Sequence, residues 1–235
     1  MELQEVAAAR KDPGLVVLEG FHACKHAVRF GGELLGVWTA DPDELEALRA
    51  RLAPDVVLEA QVVEHEALVA VVPRAQVVAV ARRPDQPDAD AVLADPGPAP
   101  VVLLEDPRHL GNLGACVRVA AAAGAAGVLT TGRTDPWHPD ALRGAAGLHF
   151  ALPVHRLRTV RTGDRPLVCL APGGAPARAV PPRAVLAFGT ERDGLTPELL
   201  ARADASVALP MRDGVSSLNL ATSVAAVLYG LALSG

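Results

Sequence analysis

Apolar residues fall along this chain in short runs set between polar, acidic-led segments, the pattern of strands alternating with helices. Leu15-Val16-Val17-Leu18, ending in Glu19-Gly20, predicts a strand closed by a glycine turn, and Phe21 to Phe30 a helix. Leu34 to Thr39 predicts the next strand, and Pro42 to Arg51 a helix with acidic residues in its first turn. Val56 to Glu59 is expected to be a short strand, Glu64 to Ala70 helical, and Gln76 to Ala81 a last β-type run. Further along, Val101 to Leu104, Gly127 to Thr131, Leu167 to Leu170, Ala184 to Phe188 and Ser206 to Leu209 are strand-like. Helices are expected over Asn112 to Ala123, from Pro139 to Arg143, over Pro197 to Ala203 and over Ser217 to Leu233. Strands this short and apolar, separated by helices, predict a parallel sheet covered on both faces.

Pro84 to Pro100 interrupts the pattern with Pro, Asp and Ala. It reads as an exposed, semi-rigid linker. The expected organisation is therefore a small α/β domain over 1–83, a linker over 84–100 and a larger α/β domain over 101–235.

Composition narrows this picture. The chain has 235 residues, half of them apolar but only 3% aromatic, so the core must be built from Val, Leu and Ala. Cys24, Cys116 and Cys169 show neither disulfide-framework nor metal spacing. The acidic start Met1-Glu2-Leu3-Gln4-Glu5 is unlike a signal peptide, and no apolar run reaches membrane-spanning length, so a cytoplasmic protein is expected. The net charge of −5 argues against a nucleic-acid partner, but its distribution is uneven. Residues 1–98 carry 9 basic against 17 acidic side chains, a balance of −8; residues 99–235 carry 13 against 10, a balance of +3, and all thirteen are Arg. Arginine suits bidentate phosphate contact and base stacking, though compositional bias gives the same count.

Three segments stand out for chemistry. In Gly111-Asn112-Leu113-Gly114, glycines flank a polar residue where a strand hands over to a helix, a place where backbone N–H groups can meet a ligand. The spacing is not that of a dinucleotide loop. Arg118 follows on a helix of Ala, Val and Cys, where it must face solvent, a partner or a phosphate. Gly189-Thr190-Glu191-Arg192-Asp193-Gly194 then follows a strand, with Thr196 expected to cap a helix starting at Pro197. Last come Leu209-Pro210-Met211 and Ser217-Leu218-Asn219, the latter opening the closing helix, where Ser217 and Asn219 are either caps or site residues. Leu218, Ala221, Ala225, Leu228 and Ala232 form a stripe at helical spacing expected to be core. Arg156, Arg158, Arg161 and Arg165 crowd one stretch, either a phosphate-tracking patch or a solvated loop.

In this order and at this spacing, the three segments resemble the signature motifs of the SpoU/TrmH family of SPOUT RNA methyltransferases. The resemblance is close over 100–235 and loose over 15–82, where Glu19-Gly20 with Lys25 and Arg29 is similar to a small RNA-binding module. It implies a C-terminal trefoil knot, a homodimer formed through the C-terminal domain, and S-adenosylmethionine-dependent methylation of a ribose 2′-oxygen in tRNA or rRNA, with no metal. It assigns Asn112, Arg118, Glu191, Ser217 and Asn219 to catalysis, and Gly189, Thr190, Glu191, Gly194, Leu209, Met211, Ser217 and Leu218 to the methyl donor. RNA contacts are expected at Arg118, Lys25, Arg29, Arg156 and Arg158. With a pKa above ~12, Arg118 is better suited to orienting a phosphate than to removing a proton. Departures occur at His109-Leu110, where many relatives have Asn-Pro, at Ala145-Ala146-Gly147, and at Asn219-Leu220-Ala221. Two alternatives remain at this point: an RNA-binding protein that keeps the fold without the reaction, and an unrelated α/β enzyme using a nucleotide cofactor.

Overall fold

The computed structural model describes residues 1–73, 75–177, 180–190 and 193–234. The chain divides into two compact units: Met1–Asp85 with Trp137–Ala151, and Gln86–Pro136 with Leu152–Gly235.

In the first unit, α1 (Val6–Ala9) precedes β1 (Leu15–Glu19), α2 (Phe21–Arg29), β2 (Leu34–Thr39), α3 (Pro42–Leu52), β3 (Gln61–Val62), α4 (His65–Val71) and β4 (Val77–Arg82). The strands form a mixed sheet in the order β1-β4-β2-β3, with only β2 and β3 parallel. Val17, Trp38, Val78 and Val80 pack with Leu3, Val6 and Leu68 into one buried cluster. Gly36 leaves room for the Trp38 ring, which lies 2.4 Å from where a Cβ would stand. Asp41 caps α3 by accepting the Glu44 N–H. The strand expected at Val56 to Glu59 is absent; pairing with β2 begins later, at Gln61.

The segment Trp137–Ala151 packs in this first unit, although the sequence reading set it among residues of the second domain. Three contacts account for this. Glu19, with only 8% of its side chain exposed, is held by Arg10 and by Arg143 of α7 (Pro139–Gly144), each at 2.9 Å. His26 Nδ1 meets the Ala146 carbonyl at 2.7 Å. Gly147, at φ +76°, lies so close to Ala23 that a Cβ would meet its carbonyl oxygen at 2.5 Å.

The second unit contains α5 (Ala89–Ala94), β5 (Val101–Leu104), α6 (Leu110–Ala122), β6 (Gly127–Thr130), β7 (Val154–Arg156), β8 (Leu167–Pro176), β9 (Val185–Phe188), α8 (Pro197–Ala201), β10 (Ala205–Ala208) and α9 (Leu220–Ser234). Its six strands are all parallel, in the order β10-β8-β9-β5-β6-β7. β5, β6 and β9 are buried at every residue, which explains their unbroken apolar runs.

Four expectations change in this unit. The 84–100 stretch holds α5, whose Ala89, Val92 and Leu93 join the core of this unit. Arg165 is not a surface cation: only 2% exposed, it donates to the carbonyls of Leu93, Ala99, Arg183, Val92 and Asp95 at 2.9–3.2 Å. The closing helix starts at Leu220 rather than Ser217 and buries Leu220, Ser223, Val224, Val227 and Leu228. Of the expected core stripe, Leu228 is buried and Ala221 and Ala225 are half-buried, but Leu218 is 44% exposed and Ala232 is also exposed.

Candidate functional site

The site gathers at the carboxyl ends of β8, β9 and β10, where an open parallel sheet accepts ligands. A cavity of about 640 Å³ lies there, within the range of small-molecule sites. Its apolar walls include Leu170, Phe188, Leu195, Leu209, Leu218 and Leu220; Thr190, Asp193, Ser216 and Ser217 add polar groups.

One wall arises from a break in strand pairing. β10 pairs with β8 at Ser206–Cys169 and resumes at Val207–Ala175, so residues 170–174 leave the ladder. Four of these, Leu170, Ala171, Pro172 and Gly173, line the cavity. Gly174 returns the chain so tightly that a Cβ would meet the Val207 carbonyl carbon at 2.5 Å. Sequence patterning ends the strand at Leu170 and misses this wall; the Gly173-Gly174 pair was the one available signal.

A second wall is the loop after β9. Thr190 and Gly194 exchange backbone hydrogen bonds at 3.1 and 3.2 Å, and the Asp193 N–H donates to Thr190 Oγ1 at 3.0 Å. Gly189 packs beneath this turn; a Cβ there would lie 2.0 Å from the Gly194 carbonyl carbon. Thr196 caps α8 as expected, accepting the Leu199 N–H. Of the residues assigned to a methyl donor, Gly189, Thr190, Gly194, Leu209, Met211, Ser217 and Leu218 all line this cavity. Glu191 lies outside the described residues. Phe188, Asp193, Leu200, Ala208, Ser216 and Ser223 also line it and were not singled out by sequence.

Beside the cavity, two helix N-termini meet. His109 caps α6, its Nδ1 accepting the Asn112 N–H at 3.3 Å. Asn219 Nδ2 donates to Asn112 Oδ1 at 3.1 Å, joining segments 107 residues apart. Asn219 Oδ1 in turn accepts the N–H groups of Ala221 at 2.9 Å and Thr222 at 3.4 Å, which caps α9. Asn219 is therefore both a cap and a member of the cluster.

Arg118 stands apart. It lies six residues beyond Asn112 on α6, about 120° round the helix and ~9 Å along it. It is exposed, with no ion pair among the described residues. The other expected RNA contacts vary in availability. Lys25 is buried beneath the Phe21 ring, 5.9 Å from its centroid, and Arg29 is ion-paired with Asp55. Arg156 is exposed and donates to the Arg133 carbonyl at 2.8 Å; Arg158 is exposed. Among the described residues no group of three or more His, Cys, Asp or Glu is placed to hold a metal. His149, near a motif in sequence, is buried against Trp137 at 5.0 Å between ring centroids.

Comparison with known proteins gives concordant matches. Residues 99–229 match the family described as the SpoU rRNA methylase family. An uncharacterized tRNA/rRNA methyltransferase of Mycobacterium bovis is 33% identical over 174 residues, 68% of this chain and 60% of its own length. The 23S rRNA (guanosine(2553)-2'-O)-methyltransferase RlmP of Bacillus subtilis is 31% identical over 166 residues, 66% of this chain and 64% of its own. The chain thus spans less than two thirds of the length of these relatives. Among solved structures, the SpoU methyltransferase AviRb from Streptomyces viridochromogenes, in complex with the cofactor AdoMet, matches with a TM-score of 0.80 over 99% of this chain and 97% of that one, at 23% identity.

Proposed function

The chain belongs to the SpoU rRNA methylase family, and from that premise we propose that it methylates a ribose 2′-oxygen of tRNA or rRNA with S-adenosylmethionine as donor. The observation that carries this reading is the convergence on one cavity of β8's excursion, the Gly189 loop and the 208–220 segment, beside the Asn112–Asn219 bond. The cavity fits the donor in kind as well as volume: apolar walls for an adenine face, and backbone plus Ser and Thr groups for its polar ends. Gly189, Thr190, Gly194, Leu209, Met211, Ser217 and Leu218 would hold it; Glu191 is proposed to contribute from the same loop. When bound, S-adenosylmethionine supplies an electrophilic methyl group on a sulfonium, a chemistry that needs no metal.

The protein's own work is then to hold the 2′-hydroxyl in line and keep competing water away. Positioning of this kind supplies much of a rate enhancement by itself. Asn112 and Asn219, with Ser217 nearby, offer hydrogen-bonding groups beside the cavity, and Arg118, charged and exposed, suits an adjacent phosphate. Of the residues expected to meet RNA, the exposed Arg118, Arg156 and Arg158 are the better candidates. Lys25 and Arg29, proposed for the same task, would first have to leave Phe21 and Asp55.

Three further parts of the reading are proposals of the same kind. The chain after β10 is proposed to close a trefoil knot, with α9 seated on α6. The exposed stripe Thr222, Ala226, Tyr229, Gly230 and Leu233 on α9 would be covered by a second copy in a homodimer. Three buried free thiols suit a reducing, cytoplasmic setting.

The test is transfer of labelled methyl from S-adenosylmethionine to bulk tRNA and rRNA, followed by digestion to nucleosides. A 2′-O-methylated nucleoside is expected. Label on a base would overturn the ribose assignment, and no transfer together with no donor binding would overturn the enzyme.

A further inference from the structure

One carboxylate outside all three sequence motifs is bonded to the end of the loop that lines the cavity. Glu105 follows β5, the strand beside β9, and its N–H extends the ladder to the Phe188 carbonyl at 2.9 Å. Its two oxygens reach across to one residue: Oε2 accepts the Thr196 N–H and Oε1 accepts the Thr196 hydroxyl, both at 2.7 Å. The same hydroxyl oxygen accepts the Leu199 N–H at 3.3 Å, so the carboxylate, the loop end and the start of α8 form one continuous chain of hydrogen bonds. The loop between these anchors is Gly189 to Leu195, of which Gly189, Thr190, Asp193, Gly194 and Leu195 line the cavity.

Different contacts fix the two ends of that loop. Its upstream end is fixed by β9. Thr190, Asp193 and Gly194 are tied to one another, through the Thr190–Gly194 exchange and the Asp193 N–H on Thr190, bonds that fix these three residues relative to one another but not to the sheet. Its downstream end is held by Leu195 and Leu199, buried in the core of the unit, and by Glu105 on Thr196. Hydrogen bonds to a charged acceptor at this length are about twice as strong as neutral ones. The sheet is a rigid base, and sites held by rigid elements keep their geometry better than those on loops alone. The buried Cys169 thiol lies within the field of the same carboxylate: its pKa is raised to about 11, by burial first and by Glu105 second.

We propose that Glu105 is a positioning residue for the methyl-donor pocket, acting through Thr196 to hold the Gly189–Leu195 loop in its binding-competent place. This rests on the reading of the cavity as the S-adenosylmethionine site. Glu105 is invisible to sequence patterning because a single acidic residue ending a strand has no spacing signal of its own.

The test is a double-mutant cycle in the full chain, with S-adenosylmethionine affinity measured by calorimetry and folding of each variant checked by circular dichroism. Glu105→Ala, which removes both bonds to Thr196, should weaken the donor about tenfold. Thr196→Ala keeps its N–H on Glu105 but loses the hydroxyl bond and the α8 cap. The double variant should lose less than the product of the two single losses, because both remove the hydroxyl–carboxylate bond. Glu105→Gln, which keeps an oxygen acceptor, should lose less, and Thr196→Ser should bind as the parent does. Losses that multiply in the double variant, or affinities equal to the parent's in every variant, would overturn the proposal. Amide hydrogen exchange without donor separates this from the functional reading. Glu105→Ala should speed exchange at Gly189 to Leu195 whether or not the parent binds S-adenosylmethionine. Unchanged exchange there overturns the clamp; a parent that fails to bind the donor overturns the pocket assignment instead.

Discussion

Replacing Arg165 should damage stability far more than replacing any neighbouring arginine. Its guanidinium is 2% exposed and directs its donors at five backbone carbonyls, those of Leu93, Val92, Asp95, Ala99 and Arg183. Burial pushes its pKa below the ordinary arginine value, with Arg183 adding repulsion, while Asp95 and Asp164 oppose the shift. Arginine nonetheless stays protonated in proteins. In Arg165→Met the chain loses these bonds but no longer buries a charge, so the two effects must be weighed. The Leu93 and Val92 carbonyls accept in buried surroundings, and leaving each unsatisfied costs about 1–3 kcal/mol. The other three are partly buried and can turn to water, at roughly 0.5 kcal/mol each. Relief of guanidinium desolvation offsets part of this, leaving a net loss of about 4 kcal/mol. For a chain of this size that lowers the melting temperature by about 8–16 °C. Arg165→Lys, with donors at a single point, should lose about half as much. Scanning calorimetry reads both variants beside Arg158→Met as a surface control. A drop for Arg165→Met no larger than the control's would refute the reasoning.

Three other outcomes are expected. Asn219→Ala removes the cap of α9 and the bond to Asn112, so thermal stability should fall by about 1 kcal/mol, and methyl transfer by a larger factor than donor affinity; equal losses in both would place Asn219 in the donor pocket alone. Gly189→Ala puts a Cβ 2.0 Å from the Gly194 carbonyl carbon, so the loop must shift and calorimetry should find donor binding at least about tenfold weaker. Burial holds the His26 imidazole below its ordinary value, with Lys25, Arg29 and His22 adding to the effect and the Ala146 carbonyl opposing it. The unfolded chain therefore takes up this proton first as pH falls: the contribution is complete above about pH 6.5 and is lost progressively below it. His26→Gln should flatten that part of a urea-midpoint profile between pH 7.5 and 5, and an unchanged slope would assign it to other groups.

β5, β6 and β9 were legible because burial on both faces of a parallel sheet writes an unbroken apolar run, as in Val101 to Leu104 and Val185 to Phe188; β7, three residues with only Val154 buried, writes none and was missed. The cavity-lining turn after β9 was legible because backbone packed this closely on backbone needs glycine, as at Gly189 beneath Gly194. What stayed hidden was set by distant partners. Arg165 looks like three exposed neighbours until its five carbonyls are assembled around it. Glu105 acquires a role only when Thr196, 91 residues later, arrives beside it. The excursion at residues 170–174 is a property of two strands in register, and periodicity within one strand carries no trace of it. The helix stripe on α9 was misplaced at its ends because nearly every residue there is apolar, so the pattern holds no phase.

The crossing of Trp137–Ala151 back into the first unit sets a timetable for synthesis. Chains fold from the N-terminus as they leave the ribosome, usually one unit after another. Here the first unit is incomplete when residue 85 emerges. Arg143, the second cation on the nearly buried Glu19 carboxylate, has not been made, nor has the Gly147 turn that closes against Ala23. By the time both are available, β5, α6 and β6 of the other unit are already outside the tunnel. Neither unit can finish before the other has begun, so a nascent chain stalled between residues 86 and 136 should remain sensitive to protease across its whole first unit, and become resistant there only once residue 151 is exposed.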